Sequence, residues 1–194
     1  MQISVCKLTY ELLDDWLVYF DKEAFSDNVA WCGCCYCMCY HWDRELAKIR
    51  AWNGGKDCAE FNRKQAIDFI KSGRMQGYLA YVDGRVVGWC NSDDKKAYSN
   101  VNFNFAEEVP DNGERIKSIV CFSVSPEYRG CGVATALLEY VCKDARADGF
   151  DLIEAYPFEH NEYHSYHGPL SMYQKNGFEV CLQIEICVVC RKKL

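Results

Sequence analysis

Ser118-Ile119-Val120-Cys121-Phe122-Ser123-Val124-Ser125-Pro126-Glu127-Tyr128-Arg129-Gly130-Cys131-Gly132-Val133-Ala134-Thr135-Ala136-Leu137-Leu138 passes from an apolar run through a turn directly into a helical pattern. The residues before Ser125 read as a strand, and Gly132 to Ala147 as a helix with Ala134, Leu137, Leu138, Val141, Cys142 and Ala145 on one side. Glycines at 130 and 132 remove two Cβ atoms from the turn, so backbone N–H groups can converge on one anion. The unpaired first-turn amides and the helix dipole add positive potential there. A pyrophosphate suits such a cradle, and Arg129 can add charge. A P-loop would need Gly-Lys-Ser/Thr to close the turn, and a dinucleotide fingerprint would need a third glycine where Thr135 stands. What remains is Arg/Gln-x-x-Gly-x-Gly/Ala, met by Arg129, Gly132 and Ala134.

Outward from this stretch, Ser4 to Leu8 reads as a first strand and Tyr10 to Phe20 as a helix. Cys35 to Tyr40 reads as an apolar strand, and Asp43 to Trp52 and Glu60 to Ser72 as helices. Gly77 to Val82, Asp83-Gly84 and Arg85 to Cys90 form a hairpin signal. Ser92 to Asn112 reads as surface loop with a short strand near Val101 to Phe105. Ile116 to Val124, the following helix and Asp151 to Ala155 make a strand-helix-strand unit, which requires parallel pairing. A short helix at Leu170 to Lys175, a stop at Gly177, and runs Phe178 to Leu182 and Ile184 to Val189 close the chain, with the break near Gln183. The class is α/β (α+β): a mixed, mostly antiparallel central sheet with helices on both faces.

The chain has 194 residues, 49% of them hydrophobic, enough for one core and too few for two ordinary domains. One domain over 1–194 is expected. The net charge of -6 disfavours nucleic acid and anionic membranes as partners and favours an amine-bearing one. No basic lead precedes an apolar run at the start, and no uncharged run reaches the ~18 to 20 residues of a membrane span, so a soluble, cytoplasmic protein is expected. Fourteen cysteines then point to free thiols or ligands rather than bridges.

The turn motif, with Ser171-Met172-Tyr173-Gln174-Lys175-Asn176-Gly177-Phe178 downstream, resembles the GNAT superfamily of acyl-CoA N-acyltransferases over Gly77 to the C-terminus. The resemblance implies acetyl-CoA as cosubstrate, an amine of a small molecule or peptide as acceptor, and no metal. It further implies that Phe122, Ser123 and Val124 offer backbone groups to the pantetheine arm, and that Arg129, Gly130, Cys131, Gly132, Val133, Ala134 and Thr135 hold the pyrophosphate. Tyr173 would then lie near the sulfur, as the acid for the departing thiolate or as a packing residue. Many relatives are dimers, so a homodimer is compatible.

Two positions depart from the superfamily pattern: Tyr166 stands where many members carry Asn, and Ser118 where some carry a catalytic Glu. The base is therefore open between Glu154, His160 and a water relay. Direct attack of a neutral amine, with a strand amide polarising the carbonyl, is the expected chemistry. A non-catalytic acyl-CoA sensor is the alternative.

Cys32-Gly33-Cys34-Cys35-Tyr36-Cys37-Met38-Cys39-Tyr40-His41 invites a metal or thiol sensor. The alternating spacing differs from zinc pairs, however, and as a strand it would line one face with Cys35, Cys37 and Cys39. Trp31 to His41 is also similar to a Trp…Cys-x-Cys…Tyr-His signature of an uncharacterised bacterial subgroup, which makes an acceptor-pocket wall a third possibility. Cys187-Val188-Val189-Cys190 reads as a core strand end.

Overall fold

The computed structural model describes residues 1–27, 33–43, 45, 48, 58–98, 109–157, 166–184 and 187–194, without the side chains of residues 184 and 187. Seven strands form one sheet in the order β1-β2-β3-β4-β5-β7-β6. They are β1 (Ser4–Lys7), β2 (Gly77–Val82), β3 (Arg85–Asp94), β4 (Ile116–Val124), β5 (Leu152–Ala155), β6 (Glu179–Ile184) and β7 (Cys187–Lys193). The β4–β5 pair is parallel, as the strand-helix-strand reading requires, and the other pairs are antiparallel.

Helices α1 (Leu13–Lys22) and α2 (Cys58–Lys71) cover one face; α3 (Val133–Ala147) and α4 (Leu170–Lys175) cover the other. In α1 the buried Leu13, Trp16, Tyr19 and Phe20 recur at helical spacing. Trp16 stacks on Phe20 with ring centroids 4.2 Å apart and meets Trp89 of β3 edge-on at 6.1 Å. On the opposite face Val133, Leu137, Leu138, Val141 and Ala145 of α3 are buried against the sheet. Lys7 pairs with Asp144 and Asp148, tying β1 to the end of α3.

Two expectations are corrected. Cys35 to Tyr40 is not a strand: Tyr36 and Cys37 have positive φ (44° and 53°) and lead into a 3-10 turn, Met38–Tyr40. Consecutive left-handed residues cannot continue a pleat. The turn is held by Asn62 Nδ2 donating to the Cys34 carbonyl at 2.6 Å and by the Trp89 indole donating to Cys37 Sγ at 3.2 Å. Cys35 and Cys39, four apart, bring their sulfurs to 3.9 Å instead of alternating along a face. The second correction concerns β3, which runs on to Asp94 where a loop was expected, because long β4 pairs with it through Asp94↔Lys117.

The run break expected near Gln183 falls between Ile184 and Cys187. The expected helix Asp43 to Trp52 falls largely outside the described residues, and the strand near Val101 to Phe105 lies wholly outside them.

β4 carries the feature on which the site depends. Asn91 pairs with Cys121 and Ser92 with Ile119, leaving Val120 as an extra, bulged residue. β4 pairs with β5 only from Ile116↔Leu152 to Ile119↔Ala155. A bulge bends its strand and increases the local twist. From Val120 onward β4 therefore parts from β5, opening a fork in mid-sheet.

Close packing of β2 against β3 leaves little tolerance at Gly77. A Cβ on Gly77 would lie 2.3 Å from both the Trp89 ring and the Cys90 carbonyl. Gly77→Ala is expected to lower unfolding stability by about 2–3 kcal/mol, read from the urea midpoint; an unchanged midpoint would contradict this packing.

Candidate active site

An antiparallel ladder aims successive residues' N–H groups alternately at its two neighbours. Ser125 N–H donates to Val87 O at 2.9 Å, on the β3 side. By alternation Ser123 and Cys121 also face β3, while Phe122 and Val124 face the fork. Phe122 N–H confirms the direction, donating to the Tyr166 carbonyl at 2.5 Å. Val124 N–H, two residues on, has no recorded acceptor among the described residues. Ser123 thus offers its main chain to β3, and its buried hydroxyl donates to Ala24 O at 2.8 Å while accepting from Tyr19 at 3.1 Å.

Beyond β4 a 3-10 turn, Pro126–Tyr128, leads into the glycine turn. Gly130 and Gly132 have φ of 74° and 87°, and a Cβ on either would meet nothing within 4 Å. Their role is backbone freedom beside open space, a cradle that a ligand can fill. The amide of Arg129 donates to Pro126 O and that of Cys131 to Tyr128 O, each at 3.3 Å. The amides of Gly130, Gly132, Val133, Ala134 and Thr135 have no recorded acceptor among the described residues. Gly132 is the N-cap of α3 with no side-chain cap, and no acidic residue stands in the first turn. Uncommitted N–H groups at an uncapped helix start attract an anion.

Arg129 is placed differently from a free anion-binding charge. Its guanidinium forms an ion pair with Asp27, with Nη2 to Oδ1 at 3.0 Å, and Nε donates to the Val124 carbonyl at 3.2 Å. It ties the end of β4 to the segment after α1, and Asp27 offsets its charge. Cys131 is exposed in the turn.

Tyr173 of α4 is fully buried; its ring centroid lies 6.3 Å from Phe122 and 5.2 Å from Phe178. Its hydroxyl donates to the His167 carbonyl at 2.7 Å. Burial, first, and neighbouring thiols hold this phenol well above its ordinary value, so the proton stays on oxygen. Gly168 (φ 78°) lies so close that an added Cβ would sit 2.9 Å from Met172 Cε and 3.4 Å from Tyr173.

Glu154 is fully buried and already engaged. Arg191 (2.6 Å) and Lys95 (3.1 Å) pair with it, and Tyr156 donates to Oε1 at 2.6 Å. Both of its carboxylate oxygens are thus taken up by partners within the protein. His160 lies outside the described residues.

Two residues absent from the sequence-based set stand at the fork. Tyr166 caps Phe122, and the His167 ring meets Tyr40, with Nε2 3.3 Å from its hydroxyl. Tyr166 departs from the superfamily pattern at this slot, whereas His167 carries no mark in the sequence beyond its place just ahead of the short helix. An open cavity of about 600 Å³ lined by Leu152, Arg191 and Lys192 lies at the opposite end of β5 and is no part of the site. Among the described residues no group of three or more His, Cys, Asp or Glu is arranged to hold a metal ion, and no helix is long and apolar enough to cross a membrane.

Fork, uncommitted amides and uncapped helix stand together at the C-terminal end of β4. Residues 38–178 match the family model described as Acetyltransferase (GNAT) family. The chain belongs to this family. Among curated proteins none matches the chain in sequence. Solved structures similar in fold include the PaiA N-acetyltransferase of Thermoplasma acidophilum in complex with coenzyme A (17% identity, TM-score 0.57) and the polyamine N-acetyltransferase of Drosophila melanogaster (11%, 0.59), each covering 100% of both chains. A mosquito arylalkylamine N-acetyltransferase-like protein, also with full coverage of both chains, gives 12% and 0.61. The protein is thus a GNAT acetyltransferase, with acetyl-CoA as its cosubstrate.

Two histidines of this acetyltransferase, His41 buried and His167 half-buried, set its acid limit. His41 accepts from Asn91 Nδ2 at 3.1 Å, and burial lowers it to about 4; burial also lowers His167 to about 4. Below about 6.5 the unfolded chain takes up protons on both that the folded chain refuses. Stability is therefore expected to fall from pH 6.5 toward 4. Equal urea midpoints at pH 7 and pH 5 would contradict neutral, buried rings, and His41→Asn should flatten part of the slope.

Proposed function

We propose that the protein transfers the acetyl group of acetyl-CoA to a primary amine of a small molecule or peptide. The observation that carries this proposal is the pairing of the β4–β5 fork with the five uncommitted amides at Gly130 and Gly132–Thr135. These amides take the diphosphate, and the α3 dipole adds to their field. Bound acetyl-CoA supplies an activated thioester. Val124 N–H, aimed into the fork, is placed to polarise its carbonyl, where a fixed dipole needs no reorganisation as charge develops. Phe122 lines the arm's path through ring and main chain. Arg129 acts by positioning: its contacts with Asp27 and Val124 O fix the turn relative to β4.

Tyr173 is the proton donor for the departing thiolate. Its ring lies beside Phe122, and its one hydrogen, given to the His167 carbonyl in this structure, turns to the sulfur as the thiolate leaves.

Purified protein with acetyl-CoA and a panel of amines should release free thiol. Tyr173→Phe is expected to slow release ~100-fold while CoA affinity stays within about twofold. Gly132→Glu should abolish CoA binding by calorimetry, since it sets a bulky anion in the cradle. Tight CoA binding with no thiol release on any amine would contradict transfer; unchanged binding by the Gly132 variant would contradict the cradle.

A further inference from the structure

Acetyl transfer makes no use of the cysteine-rich stretch, yet its fold brings two sulfurs together. Tyr36 and Cys37 both take left-handed backbone (φ 44° and 53°), which is costly for residues with side chains, and they fold the chain between Cys35 and Cys39 back on itself. Cys35 Sγ and Cys39 Sγ then lie 3.9 Å apart. The turn is held from several sides: Met38 N–H donates to Cys35 O at 2.9 Å, Asn62 Nδ2 to Cys34 O at 2.6 Å, and Asn91 Nδ2 to Cys37 O at 3.4 Å. Sulfurs kept at contact distance by their surroundings need little rearrangement to bond.

Burial sets the neighbouring thiols apart from this pair. Cys37 is fully buried, its sulfur taking the Trp89 indole hydrogen at 3.2 Å, and Cys121 is 2% exposed in the sheet. Cys35 and Cys39 are only half-buried. A solvent-borne oxidant therefore meets them before the two thiols behind. The contact with Cys35, first, and then burial hold the Cys39 thiol well above its ordinary value. Cys39 thus keeps its proton, and the sulfur that attacks an oxidant as thiolate is that of Cys35.

The pair also bears on the fork. Tyr40 follows Cys39 in the same 3-10 turn, and its hydroxyl lies 3.3 Å from His167 Nε2, with the two rings edge to face at 5.9 Å. The carbonyls of Tyr166 and His167 accept from the Phe122 N–H and from the Tyr173 hydroxyl. Tyr166 and His167 are therefore a strap across the fork, and Tyr40 leans on it.

We propose that Cys35 and Cys39 are an oxidation site: a peroxide closes them to a disulfide, a small thiol reopens them, and Tyr40 carries the change to the strap. The Cys35 thiolate attacks one peroxide oxygen and becomes a sulfenic acid as the O–O bond breaks. The other oxygen leaves as water, taking the proton that Cys35 gave up. Cys39 sulfur then attacks the sulfenic sulfur, and its own proton leaves with the hydroxyl as a second water. Two thiols lose two electrons and two protons, and one peroxide becomes two waters. Two equivalents of small thiol reverse the bridge and are themselves joined as a disulfide.

A bridge across so short a loop adds little stability, because a disulfide acts mainly by constraining the unfolded chain and does so more for longer loops. Its effect is on geometry. The sulfurs must close from 3.9 Å to about 2.05 Å, which moves the Cys39 end of the turn and Tyr40 with it. The consequence for acetyl transfer rests on the function proposed above; the bridge itself does not.

The test treats the whole protein with a small excess of hydrogen peroxide near neutral pH and removes the peroxide. Thiols are capped with one isotopic label and, after reduction, with a second. The second label should fall on Cys35 and Cys39 together while Cys37 and Cys121 carry the first, and dithiothreitol before capping should abolish it. The Phe122 amide resonance should move on oxidation of the wild type and stay in place in Cys39→Ser and Cys35→Ser. Acetylated amine, followed by mass, should form ~10-fold more slowly in the oxidised wild type than in either variant treated alike, since these share any oxidation of exposed Cys131 and Cys181. Second label on other cysteines, or on none, would overturn the site. A bridge that leaves the Phe122 resonance or the rate unmoved would overturn the coupling to the fork. A reduced wild type inactive on every amine overturns acetyl transfer alone, and the labels and the Phe122 resonance still decide the bridge and its reach.

Discussion

β4 and β5 stay paired for four residues and then part, and nearly everything functional follows from that parting. Val120 is the extra residue that bends β4 at this level, so Val120 and Cys121 both face the α1/α2 core while Phe122 turns to the α3 side. A sheet elsewhere satisfies its amides strand to strand. Here the fork leaves main-chain donors in mid-sheet, where Phe122 N–H finds the Tyr166 carbonyl and Val124 N–H remains to offer. Buried N–H groups without partners cost stability, which a protein tolerates where a ligand supplies the acceptor.

The polar groups around the fork are arranged to hold geometry as much as to react. Arg129 and Asp27 clamp the end of β4; Glu154, Arg191, Lys95 and Asp111 pin β5 to β7 and to the segment after β3. Breaking such a buried pair by removing one partner leaves an uncompensated charge.

The sheet, α3, the hairpin and the glycine turn were legible because each follows from local periodicity and glycine placement. β4 and α4 in particular run over the residues expected, Ile116–Val124 and Leu170–Lys175. The cysteine segment misled, since alternation of thiols mimics a strand while the positive φ of Tyr36 and Cys37 leaves no mark in composition. Pairing across distance was equally hidden: that Asp27 would meet Arg129, or that Lys117 would lie buried with its ammonium 5.4 Å from the Tyr78 ring and 5.0 Å from that of Phe150, depends on contacts far apart in the chain. The partners of Glu154 on β7 and after β3 could not be read locally either.

Amide resonances of the labelled protein, recorded as CoA is added, test the fork and cradle most directly. Gly130, Gly132 to Thr135 and Val124 should move strongly and saturate together, while Cys121 and Ser123, whose N–H groups face β3, should move little. Saturable binding that leaves the five turn amides and Val124 in place, with the shifts gathered elsewhere on the molecule, would contradict the account.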